Sequence, residues 1–283
     1  MSFLAGWSTS SLSKAAFFAY ACLLVLVAAC GGSDDDNKGI AIATQAPSRA
    51  ATPETRTPIG VPPVAPTAAA PAPVVGGEPT AFQSADGAVT MRGSLFSAPG
   101  PKRKIVIIAS QMPDTEAAWQ PFAKELASAG VAALTFQMPQ YKDTGGQRDL
   151  ALMDKDIESA VLLLESRDYP LIYVLGDFTA GDAAIRLAAR RKVAGIVTVS
   201  SPMLVAVPGS AFDPAGDLPR VSVPKLFISH QEQRSSAAVQ LFMQQSPEPK
   251  QSKVFASTAP GAGLLGGTDG PTFKQTIRDF LLK

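Results

Sequence analysis

From about residue 80 to residue 283 the chain alternates short apolar runs with segments of helical period, and this alternation limits the fold more than any other feature. Lys104-Ile105-Val106-Ile107-Ile108-Ala109 and Leu171-Ile172-Tyr173-Val174-Leu175 are continuous apolar runs. Such runs are expected of strands covered on both faces of a sheet. Residues 89–96 read as an earlier strand paired with the segment around Phe82. Further strands are predicted at 131–136, 193–200, 223–229 and 253–257. Between them lie helical spacings. Residues 116–129 place Trp119, Phe122, Leu126 and Ala127 on one face, with Gly130 as the stop. Residues 149–166 align Ile157, Val161 and Leu164, and helices are also expected at 182–189, 235–245 and 271–282. Strand and helix in alternation call for an α/β fold, a three-layer sandwich around a mostly parallel sheet.

The residues before this region cannot belong to it. Residues 15–29 are unbrokenly apolar after a single charge at Lys14. A membrane span needs roughly 20 such residues, whereas a signal h-region needs about 7–15. The run ends Leu26-Val27-Ala28-Ala29-Cys30-Gly31-Gly32-Ser33, which resembles a bacterial lipoprotein lipobox. That resemblance implies removal of residues 1–29 as a signal peptide and lipid attachment at Cys30. The expected location is then the cell envelope, with the chain exported and lipid-anchored to a bacterial membrane. Residues 30–79 carry Asp34-Asp35-Asp36 and then a run rich in Pro, Ala and Thr. Repeated proline removes backbone donors, so this segment reads as a disordered tether. The predicted folded domain is 80–283.

Charge narrows the functional classes. Lys plus Arg number 25 against 24 Asp plus Glu, so nothing points to nucleic acid. The two cysteines, Cys22 and Cys30, both precede the folded region, and His230 is the one histidine. A zinc or redox site is not expected, nor is any cofactor.

The chemistry-bearing stretch is Gly176-Asp177-Phe178-Thr179-Ala180-Gly181, set between an apolar strand and a helix. Strand, tight small-residue turn and helix make the setting of an exposed nucleophile. Together with Trp119, Gly130-Val131-Ala132 and Ser200-Ser201-Pro202, it resembles the α/β-hydrolase superfamily. The likeness is greatest to its dienelactone-hydrolase and esterase-like members, over residues 80–283. The resemblance implies a nucleophile at position 178, but Phe178 stands there, and phenyl attacks no carbonyl. Making Asp177 the nucleophile instead would flank the turn with Leu175 and Thr179, both too bulky. Asp177 therefore reads as a strand-end carboxylate facing amides.

The resemblance also implies a histidine after the last strand. Residues 257–267 supply glycines and Pro260-Gly261 but no histidine. His230 lies where the family places its acid, beside Gln231 and Glu232, and reads as a surface or hydrogen-bonded residue. The oxyanion donors would be the Thr179 backbone N–H and a group near Ser110-Gln111-Met112; backbone donors survive side-chain change. Without chemistry to retain it, the strained turn should either relax at Phe178 or pack its ring into the former pocket.

The reading from sequence is an envelope lipoprotein with a non-catalytic hydrolase-like domain, its partners the membrane and an unidentified ligand or envelope protein. The alternative is an active esterase-type enzyme with a non-standard constellation, drawing on Ser110, Ser200, Ser229 or Asp177. Arg190-Arg191-Lys192 reads as a basic helix end, and residues 263–267 as a loop.

Overall fold

The computed structural model describes residues 76–111, 115–139, 150–202 and 212–283. The expected signal peptide, Cys30, Asp34–Asp36, the tether up to residue 75 and Met112 lie outside the described residues.

Eight strands form one sheet: β1 (Glu78–Gln83), β2 (Thr90–Phe96), β3 (Lys104–Ser110), β4 (Ala132–Gln137), β5 (Leu171–Asp177), β6 (Gly195–Val199), β7 (Lys225–His230) and β8 (Lys250–Phe255). Their spatial order is β1-β2-β4-β3-β5-β6-β7-β8. β2 runs antiparallel to β1 and to β4, and every pairing from β4 through β8 is parallel. The predicted pairing of 89–96 with the segment around Phe82 is present, with Phe82 opposite Met91.

The helices are α1 (Thr115–Ser128), α2 (Met153–Ser166), α3 (Thr179–Arg190), α4 (Pro214–Asp217), α5 (Gln233–Gln245) and α6 (Gly270–Leu282). They bury their apolar stripes on opposite faces of the sheet. α2, α3 and α5 pack Ile157, Val161, Leu187 and Phe242 over Ile107, Val174 and Phe227. α1 and α6 pack Trp119, Phe122, Leu126 and Phe273 over Ile108, Leu175 and Ile228. Ile105 through Ala109 are all fully buried. This is the three-layer arrangement that the continuous apolar runs predict.

Two expectations needed correction. The last strand begins three residues and ends two residues earlier than 253–257, because β8 is an edge strand. Its middle four residues, Gln251 to Val254, are exposed, so it carries little apolar signal. The short α4 was not anticipated, although its signal was present: Pro214 opens it and Asp213 Oδ1 accepts from the Gly216 N–H at 2.9 Å.

Candidate functional site at the carboxyl ends of the strands

The turn between β5 and α3 is sharp because the sequence leaves no alternative. A Cβ on Gly176 would overlap the Ala180 carbonyl, and one on Gly181 would overlap Ser201 Oγ. Strand and helix can approach this closely only with glycine at those places. Phe178 is then forced to φ 57° and ψ −130°, a backbone region disfavoured for any residue with a side chain. Three hydrogen bonds hold it there. Its N–H donates to Val199 O at 2.9 Å, and its carbonyl accepts from the Gly181 N–H at 2.9 Å and from Ser201 Oγ at 3.0 Å. The turn has not relaxed, which removes one of the two expected outcomes. The strain persists because the flanking glycines and these bonds fix it.

The other expected outcome is met in part: the ring lies against the loop after β8, while Phe178 stays half-buried. Gly261, in the loop after β8, has φ 56°, and a Cβ there would lie 2.8 Å from Phe178 Cε2 and would overlap Asp177 Oδ1. The loop in which the resemblance calls for a histidine brings its backbone against the ring at Gly261. No side chain fits at Gly261 without moving both neighbours.

Asp177 is fully buried at the end of β5. Its Oδ2 accepts from Trp119 Nε1–H at 3.1 Å and from the Ala262 N–H at 3.3 Å. Burial pushes its carboxyl up to about 6, against the pull of those donors. The expectation of a strand-end carboxylate facing amides describes it well. The Trp119 contact was missed, although a buried indole N–H must find an acceptor.

The remaining sequence-predicted residues lie at neighbouring strand ends. Ser110 closes β3 in register with Asp177 and is fully buried, its Oγ without a hydrogen-bond partner among the described residues. Gln111 follows it, half-buried. Thr179 opens α3, half-buried. Ser229 is fully buried within β7.

His230 ends β7, buried and hydrogen-bonded. Its Nδ1 lies 3.0 Å from Ser200 Oγ, and its Nε2 lies 3.8 Å from Glu232 Oε2. Burial holds the imidazole below its ordinary value, against the Glu232 carboxylate that pulls it up. The Gly261 N–H donates to Ser200 Oγ at 2.9 Å. Nothing in the sequence signals that Ser200 and His230, 30 residues apart, would meet.

Among solved structures, a dienelactone hydrolase from Anabaena variabilis superposes with a TM-score of 0.59 at 21% identity, covering 73% of this chain and 97% of its own. An esterase domain from a Rhodothermus marinus protein gives 0.58 at 13% identity, covering 72% and 96%. An alpha-beta serine hydrolase homologue from Coxiella burnetii gives 0.58 at 16% identity, covering 74% and 100%. No protein-family model and no curated protein matches the chain. The three-layer fold of residues 78–282 is that of the α/β hydrolases.

Proposed function

We propose that the chain is an envelope lipoprotein whose α/β-hydrolase fold carries an elbow that no longer catalyses, the domain instead presenting a surface to a ligand or partner. One observation carries this reading: Phe178 occupies the nucleophile turn with its ring against Gly261, in a loop that holds no histidine. Both an attacking group at the turn and a base in that loop are lacking. Restoring a hydroxyl alone therefore restores nothing, and Phe178→Ser should show no gain in hydrolysis of short acyl-nitrophenyl esters over the wild type. A gain of tenfold or more would sink the reading.

The anchoring half rests on the lipobox-like ending at Cys30. Cys30→Ser should abolish incorporation of labelled fatty acid and shift the protein from the membrane to the soluble fraction. Two acyl chains hold a protein at a bilayer where a single one does so only marginally.

A second reading has its own observation. Ser200 Oγ sits at hydrogen-bond distance from the one histidine, His230, with Glu232 beyond it. On this reading the chain is an ester hydrolase whose reacting group lies away from the elbow. Its test is turnover of short acyl-nitrophenyl esters by the wild-type protein.

A further inference from the structure

We propose that Ser200, His230 and Glu232 form a nucleophilic relay for acyl groups, displaced by one strand from the elbow. The inference rests on the second reading above and names its reacting residues.

One tautomer of His230 turns these hydrogen bonds into a relay. The Gly261 N–H has only a proton to offer, so Ser200 Oγ accepts there. The serine O–H is then free to donate to His230 Nδ1 at 3.0 Å. In that tautomer the proton of the neutral imidazole sits on Nε2, on the side of Glu232 Oε2. Hydroxyl, imidazole and carboxylate thus stand in the order a base-activated serine requires. Burial favours the neutral imidazole, the form that accepts a proton.

Backbone strain marks the same place. Three residues other than glycine have positive φ among the described residues: Asp168, Phe178 and Ser200, the last at 54°. Two of them, Phe178 and Ser200, immediately follow the adjacent strands β5 and β6. Strain of this kind gathers where side chains must be aimed.

The step balances with an ester and water alone. Ser200 Oγ bonds to the ester carbonyl carbon while its proton passes to His230 Nδ1. The tetrahedral adduct collapses, the carbon–oxygen bond to the alcohol breaks, and the leaving alkoxide takes that proton. Water then attacks acyl-Ser200, giving its proton to His230, and the carboxylic acid departs as Ser200 recovers its own. Glu232 touches no reacting atom. It is a positioning residue acting through His230 Nε2.

The same bonds would also arise if Ser200 merely pinned the loop at Gly261, so the test must separate pinning from nucleophilicity. The full-length protein is treated with a fluorophosphonate and, separately, with the smaller phenylmethylsulfonyl fluoride, and adducts are located by peptide mass spectrometry. The expected result is one adduct on Ser200. Ser200→Ala should abolish it, and His230→Gln should slow it by at least tenfold. Ester turnover by Glu232→Gln should retain activity with its acidic limb moved to lower pH, since the carboxylate that raises His230 is gone. Ser200→Cys supplies an independent readout, because the folded region holds no other cysteine. Its alkylation by iodoacetamide should fall at least fivefold when His230→Gln is added.

Labelling at another serine, no adduct with either reagent, or full ester turnover in Ser200→Ala would overturn the relay. An adduct on Ser200 without ester turnover would keep the relay and remove the second reading. Turnover that survives Ser200→Ala would do the reverse.

Discussion

At Asp177, burial and hydrogen bonding act in opposite directions, and burial wins. Two donors reach Oδ2, yet the carboxyl is pushed up to about 6 from an ordinary 3.8. Between those two values the folded state holds more protons than the unfolded one, so this group makes stability fall as pH rises through that window. Above it the buried charge costs roughly 2–3 kcal/mol. Asp177→Asn keeps an acceptor for Trp119 and removes the charge. It should be more stable than the wild type at pH 7.5 by about 1–2 kcal/mol, with the advantage vanishing near pH 4, as read by urea unfolding at the two pH values. His230 contributes in the opposite sense, its stability being present above 6.5 and lost as pH falls through its depressed folded value. Comparing variant with wild type at each pH isolates Asp177 from it. Gly261 is the second residue where one atom decides the outcome. Gly261→Ala meets Asp177 and Phe178 at a positive φ, and should cost at least about 2 kcal/mol in the same assay.

Among the elements, α2 and α3 are joined by charges that the sequence presents only as a basic helix end. Arg190 reaches Asp154 at 2.6 Å and Glu158 at 2.7 Å, and Arg191 reaches Glu158 at 3.0 Å and Glu165 at 2.6 Å. The macrodipole reading of Arg190-Arg191-Lys192 accounts for their position on α3 but not for these partners, all of which lie on α2. Asp154 is the buried member, its side chain 1% exposed. Removing it leaves Arg186 and Arg190 without their shared carboxylate. Asp154→Ala should therefore destabilise the domain by about 1–3 kcal/mol, measured by thermal unfolding. Glu165→Ala breaks a partly exposed pair and should cost under about 1 kcal/mol. β8 makes the complementary case. Its exposed residues hide the strand from any apolar count, while its pairing with β7 through six registered positions places it without ambiguity.

For the whole molecule, the described residues from Gly76 onward belong to one compact unit. Limited proteolysis of the full chain should cut between residues 31 and 75 and leave a core beginning near residue 76. That core should unfold at the same temperature as the intact protein, and a core truncated within β1 or β2 would count against the assignment. Much of this was legible in the sequence. Strand and helix order, the glycine-bounded turn holding Phe178, and the loop after the last strand without histidine all follow from local period and residue size. These signals are local because a side chain's burial within one element repeats every two or 3.6 residues. The contacts that give the site its character are not local. Trp119 meets Asp177 across 58 residues, Ser200 meets His230 across 30, and Gly261 meets Ser200 across 61. Each depends on which strands lie side by side and on how far a loop folds back over their ends. The sheet order and the path of the 260s loop therefore decided what surrounds Phe178 and Asp177. The residue types alone had settled that Phe178 itself could not attack a carbonyl, because chemical reactivity is a property of the side chain and needs no neighbour to reveal it.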